Sequence, residues 1–364
     1  MTMKKTTAFL AFAGACALAV TGPATLAAPP SPADAHPATG ATASSLPVGD
    51  VDTALTSKSG QTSQPDQVTP TAEQDASAIV GIIVQLHEGS DRAASLASIN
   101  EAVASAFPGE SAQVQREYDK ALEGFALSAP AGSLDAIRAA SGVKGAFLER
   151  ETRVSDVDEV DAEGGTQAPR LSTQHPDNLS AQIMMRADQL TQKGEGKVVA
   201  VIDTGVEMTH PAFSGAMPST PALTADKVGA LTPQLGEGKQ GVYVSEKFPF
   251  AYDYADGDND AMPAKGSYGS HGTHVAGITA GNADQIVGVA PEAQIIVAKV
   301  SRSSDGEIPD SALLASLDDM VVLHPDVVNL SLGQLGGMDN EADSVYASVF
   351  KKLQDEGVSV NAAA

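Results

Sequence analysis

The 364 residues contain no tryptophan, a single cysteine and only 4 % aromatic side chains. Basic residues are also scarce: 22 Lys plus Arg stand against 46 Asp plus Glu, for a formal net charge of −24. So anionic a surface repels phosphate backbones and acidic lipid heads, and no nucleic-acid partner is expected. The excess charge reads as a contribution to solubility. Cys16 lies in a segment expected to be removed, which leaves the mature chain without thiol or disulfide. A chain of this length can build a core without such bridges. After the N-terminal twenty residues no apolar run is long enough for a spanning helix, so no membrane insertion is expected.

Lys4 and Lys5, the apolar run from Ala8 to Val20, and the small residues of Thr25-Leu26-Ala27 read as a signal peptide over residues 1–28. A lipoprotein box at Cys16 is the rival reading, but the cysteine comes too early in the apolar run. The expected location is therefore secreted or cell envelope. Residues 29–77 are rich in Pro, Ala, Ser and Thr with no apolar period, as in a disordered linker.

Residues 78–153 read as a small α+β domain. Ile79 to Val84 is a strand-like run. Ser90 or Asp91 can cap a helix carrying Leu96, Ile99, Val103 and Phe107. Phe125-Ala126-Leu127-Ser128 alternates like a strand. Ser133 can cap a second helix with Leu134 and Ile137, closed by Gly142, before a strand over 143–148. The order β-α-β-α-β fits a ferredoxin-like sandwich with room for one unseen strand. Residues 154–170 are acidic and contain Gly164-Gly165, as an exposed linker with a processing region would.

From residue 171 the pattern is α/β. Val198–Ile202, Ile295–Val300 and Val327–Leu332 are continuous apolar runs, as strands buried on both faces require, and Val358–Ala362 begins a fourth. Helical stretches with Leu313, Leu317 and Met320, and with Val345, Val349, Phe350 and Leu353, lie between them. The alternation predicts a mainly parallel sheet with helices on both faces, whose chemistry collects at the carboxyl ends of strands.

Two motifs carry that chemistry. Asp203-Thr204-Gly205 closes the first buried strand. Its aspartate can cap its own turn, orient a catalytic base, or share a proton with a second carboxylate as in aspartic proteases. No second copy of the motif exists for the last option. His271-Gly272-Thr273-His274-Val275-Ala276-Gly277 places a histidine at the start of a glycine-rich helix. One imidazole nitrogen could meet Asp203 and leave the other to take a proton from a nucleophile. His271 and His274 are three apart with no glutamate after the first, which is not zincin spacing; His274 reads as a hydrogen-bonded core residue. Asp253, Asp256, Asp258 and Asp260 crowd one loop. A structural calcium ion is possible there, but a solvated acidic turn is the simpler reading. No cofactor is otherwise expected.

On these residues the chain resembles the subtilisin-like (subtilase) serine proteases. Gly288-Val289-Ala290-Pro291, Lys299-Val300 and Val328 to Gly333 extend the likeness in the family's order. Lys193–Lys197 and Phe250–Gly257 are similar to the large cell-envelope proteinases of the lactocepin type. The resemblance implies a secreted endopeptidase working through an Asp-His-Ser triad and an acyl-enzyme. Asp203 would orient His271 as general base, and Ser331, Leu332 and Gly333 would bind substrate as an added strand. It further implies polypeptide substrates and an inhibitory propeptide over 78–153. The Gly-Thr-Ser nucleophile turn and the Gly-Asn oxyanion donor of that family do not occur after His271. The expectation is thus an N-terminal fragment of a longer enzyme, with a non-catalytic short form acting as inhibitor or peptide-binding decoy as the alternative.

Overall fold

The computed structural model describes residues 75–153, 179–264, 269–284, 286–333 and 340–363. The expected signal peptide, the linker up to residue 74 and the acidic segment 154–170 lie outside the described residues. Among those described, no helix is long and apolar enough to cross a membrane.

The N-terminal lobe runs β1 (Ile79–Leu86), α1 (Arg92–Ala106), β2 (Gln113–Asp119), β3 (Glu123–Pro130), α2 (Leu134–Arg138) and β4 (Val143–Leu148). Its sheet order is β2-β3-β1-β4 with every pair antiparallel, the ferredoxin-like βαββαβ arrangement. The strand not visible in the sequence is β2, a Gln-Val-Gln-Arg-Glu-Tyr-Asp run in which Val114 and Tyr118 are the sole apolar residues. Asp91 caps α1 by accepting from the Ala94 amide at 3.0 Å. Ser133 does not cap α2: its hydroxyl donates back to the Pro130 carbonyl at 2.6 Å, because a 3-10 turn over Ala131–Ser133 leads into the helix. Nor does Phe125–Ser128 present a solvated face. Phe125 and Leu127 meet α1 and α2, while Ala126 on the other face joins the core of the second lobe.

The N-terminal lobe ends in a short β5 (Glu151–Arg153), and the second lobe comprises α3 (Leu179–Met184), β6 (Val198–Asp203), α4 (Ala225–Leu231), β7 (Phe250–Asp253), α5 (Ser270–Ala280), the short β8 (Asn282–Ala283) and β9 (Ile286–Val287), β10 (Gln294–Lys299), β11 (Glu307–Pro309), α6 (Asp310–Leu323), β12 (Val327–Leu330), α7 (Asn340–Asp355) and β13 (Ser359–Ala362). A five-stranded sheet of order β13-β12-β6-β10-β7 is parallel throughout. Because side chains alternate across a strand, β6 serves two cores. Val198, Ala200 and Ile202 pack in the cluster of α6 and α7, and Val199 and Val201 in that of α5. Burying each such aliphatic side chain contributes about 1.5–3 kcal/mol. β6 is central: β12 pairs it as far as Val201 and β10 as far as Asp203.

The N-terminal sheet packs on α6 and α7, and the contact is anchored by carboxylates. Asp318 accepts four backbone N–H groups of the β2–β3 turn, from Asp119, Lys120, Ala121 and Leu122, at 2.6–3.2 Å. Burial pushes its carboxyl pKa up against the pull of those donors. Asp310 accepts from the Arg150 amide and guanidinium and from the Tyr346 hydroxyl. Glu149 accepts from the Ser311 amide at 2.9 Å. Asp310 opens a largely apolar buried helix that Asp318 and Asp319 interrupt, and these partners offset the cost of burying Asp310 and Asp318.

Candidate functional site

β6 and β10 are parallel and in register, with Lys299 opposite Asp203, so both end at the same edge of the sheet. Asp203 is 1 % exposed there. Gly205 follows at φ +99°, a turn open to glycine, and sends the chain away from the strand.

His271 is the second residue of α5, and its Nδ1 lies 2.8 Å from Asp203 Oδ1. The same oxygen accepts the Thr204 amide at 2.7 Å. Thr204 joins the two elements: its Oγ1 accepts the Gly272 amide at 3.0 Å and donates to the Gly269 carbonyl at 3.2 Å. Close approach of helix to strand depends on Gly272, where a Cβ would come within 2.3 Å of the Gly205 carbonyl oxygen and 3.1 Å of Asp203 Cβ. Gly272→Ala is therefore expected to cost about 1–3 kcal/mol in denaturant unfolding. A variant as stable as the parent would show that α5 shifts freely at this point.

Asp203 raises the His271 pKa above its usual 6.5 through that hydrogen bond, against a smaller opposing effect of burial. With the proton on Nδ1 facing the carboxylate, Nε2 is a free base, and it has no hydrogen-bond partner among the described residues. The sign follows from linkage. The pair's contribution to stability is complete below the unfolded pKa of about 6.5 and is lost as pH rises through the folded one. Titration followed by His271 ring-proton NMR should give a midpoint above 6.5, falling when Asp203 is replaced. An unchanged midpoint in such a variant would show that the carboxylate does not hold the imidazole.

Other sequence expectations fare differently. His274 is exposed rather than a core residue, because the buried face of α5 carries Gly272, Val275, Ala276, Thr279 and Ala280. The acidic loop is not simply solvated. Asp253 and Lys299 are both fully buried and paired, and Lys299 also donates to Ser303 Oγ at 2.6 Å and Asp256 Oδ2 at 3.4 Å. The remaining oxygens largely accept backbone amides: Asp253 from Ala255 and Asp256, Asp258 from Asp260, Asp260 from Met262. The cation that Asp253 and Asp256 share is thus the Lys299 ammonium. Burial raises the Asp253 carboxyl to about 6.

Ser331, Leu332 and Gly333 lie just past β12, which ends at Leu330 rather than Leu332. No hydrogen bond joins them to Asp203 or His271 among the described residues. Sequence reading missed β11, a three-residue edge containing a proline. It pairs antiparallel with β5, Glu307 opposite Arg153, Ile308 opposite Thr152 and Pro309 opposite Glu151. Its one signal was Gly306, at φ +76°, turning the chain into it.

Residues 194–364 match the subtilase family. The chain is 32% identical over 212 residues to the PI-type proteinase of Lactococcus lactis subsp. cremoris, covering 55% of this chain and 11% of that protein. It is 28% identical over 251 residues to the minor extracellular protease Vpr of Bacillus subtilis, 68% of this chain and 27% of the relative. With a C5a peptidase of Streptococcus pyogenes it shares 27% identity over 210 residues, 53% and 17%. The aligned part thus spans a small fraction of these relatives. The resemblance to the subtilase family read from the sequence thus holds over residues 194–364, a little under half of this chain.

Proposed function

We propose that these residues are the part of a secreted serine endopeptidase that carries the aspartate and the general base. The observation that carries this reading is the 2.8 Å contact between His271 Nδ1 and Asp203 Oδ1 at the carboxyl end of the parallel sheet. In the reaction, a serine hydroxyl supplied by polypeptide outside these 364 residues gives its proton to His271 Nε2 as its oxygen attacks the scissile carbonyl. Asp203 stabilises the imidazolium that forms, and the proton passes on to the leaving amine. Water then repeats the cycle on the acyl-enzyme. The much greater length of the relatives supports a nucleophile from further polypeptide.

Substrate lies as an extended strand between two edges, Ser331-Leu332-Gly333 on one side and β11 on the other. The N-terminal lobe acts as an inhibitory propeptide whose β5 takes the place of substrate on β11. The test is the intact mass of the native secreted product together with labelling by a serine-directed fluorophosphonate. A product far heavier than 37.0 kDa that labels and cleaves casein supports the proposal. A native product that neither labels nor cleaves overturns it in favour of an inhibitor or peptide-binding decoy.

A further inference from the structure

Arg302 stands in the turn between β10 and β11, and that turn is braced. The Arg302 amide donates to the Glu307 carbonyl at 2.8 Å and its carbonyl accepts the Gly306 amide at 2.9 Å. Asp305 accepts the Glu307 amide at 3.0 Å and Arg302 Nε at 3.2 Å. One edge of the guanidinium is thereby fixed from within the turn. The outward nitrogen Nη1 meets Glu151 Oε1 at 2.7 Å. Glu151 belongs not to this turn but to β5, the strand laid along β11, where it is opposite Pro309. The planar fork, held by one carboxylate of its own loop, thus offers its remaining donors to a second carboxylate on whatever strand occupies the edge.

The geometry points to Arg302 as a specificity-determining residue that selects an acidic side chain on a bound peptide, at the position lying opposite Pro309. This rests on the reading of β11 as a substrate edge. Two further features favour it. Arg302 and Glu151 retain 28% and 50% side-chain exposure, so the pocket opens to a side chain arriving from solvent. The charge is also isolated in function from Lys299, whose ammonium is fully buried and already holds Asp253 and Asp256. The same register puts the peptide residue two further along opposite Glu307, as Arg153 is in the chain itself. A partly exposed charge pair gives modest discrimination, about three- to fivefold for Glu over Gln and about tenfold for Glu over Lys.

The test uses the native full-length protein and labelled peptides spanning residues 149–156, with Glu, Gln or Lys at the position of Glu151. Binding is followed by anisotropy on a His271→Ala variant, and hydrolysis by the parent enzyme alongside. The peptides are titrated to millimolar concentration, where they compete with the chain's own tethered β5, which opposes all three equally and preserves their ranking. The inference expects the order Glu, Gln, Lys in binding, a flat profile in Arg302→Gln and a reversed one in Arg302→Glu. Equal binding of the three peptides, no binding, or a ranking unchanged in Arg302→Glu would overturn it. Ranked binding without hydrolysis would leave this inference standing and sink the endopeptidase proposal. Ranked hydrolysis supports both.

Discussion

For the proposed endopeptidase, Asp203→Asn is expected to lower kcat for peptide hydrolysis by about 10⁴-fold and to leave KM within a few-fold. That size is the one known for subtilisin and for other triads; the geometry here explains its origin. Asp203 Oδ1 accepts both the Thr204 amide and His271 Nδ1, and 1 % exposure leaves no water to substitute for it. An amide in its place can present an N–H to the ring. The imidazole then turns to the other tautomer, and the proton sits on the nitrogen that should accept one. The imidazolium of the transition state also loses the one anion within hydrogen-bond reach among the described residues. The substrate strand proposed along β11 and past β12 would use neither group, so KM should hold. A fall in kcat/KM carried mainly by KM would instead assign Asp203 to binding. In the same variant the His271 midpoint should drop towards or below 6.5, which ties the kinetic loss to the hydrogen bond.

Asp318→Ala is the second large effect, and it falls on the join between the lobes. The wild-type carboxylate is 2 % exposed and serves four amides of one turn. Truncation strands those donors against α6. Hydrogen bonds to a charged group contribute about 1.5–3 kcal/mol each, but four amides sharing one carboxylate are not additive and some turn to water. A total near 3 kcal/mol, or about 100-fold, is the expected loss. Amide hydrogen exchange at Asp119 to Leu122 should accelerate by that factor, whereas exchange in β6 stays slow. Unchanged protection of the turn would mean that apolar packing of the sheet on α6 and α7 holds the lobes together without the carboxylate.

The large features were legible because they repeat. Buried parallel strands need apolar runs, which β6 and β10 show and β12 shows but for Asn329, while β13, a Ser-Val-Asn-Ala edge strand, is only partly buried. The pairing of Asp203 with His271 was legible for a different reason: a strand-ending carboxylate and a helix-opening histidine have few other ways to be used. What stayed hidden is local or is set by distant chain. β2 offers only Val114 and Tyr118 among charged and polar residues, and β11 is three residues long. His274 follows helical spacing from His271, yet one step in the helix angle puts it in solvent. Asp253 looked solvated because nothing near it in sequence reveals that Lys299, on a neighbouring strand, needs it. Asp310 and Asp318 become intelligible only once the N-terminal lobe lies against α6. A charge inside an apolar helix is nevertheless a sequence signal that some remote partner exists.

The pairing of β5 with β11 has a kinetic consequence. Two segments of one polypeptide that meet at an edge do so at an effective concentration, of order millimolar for tethered partners, that no dilution of the sample can lower. A dissolved peptide competing for that edge must exceed it or bind far more tightly. Cutting the connection converts the same contact into an ordinary bimolecular one, governed by the amount of protein present. The lobe that occupies the edge while tethered would then leave it on dilution, with no contact in the interface having changed.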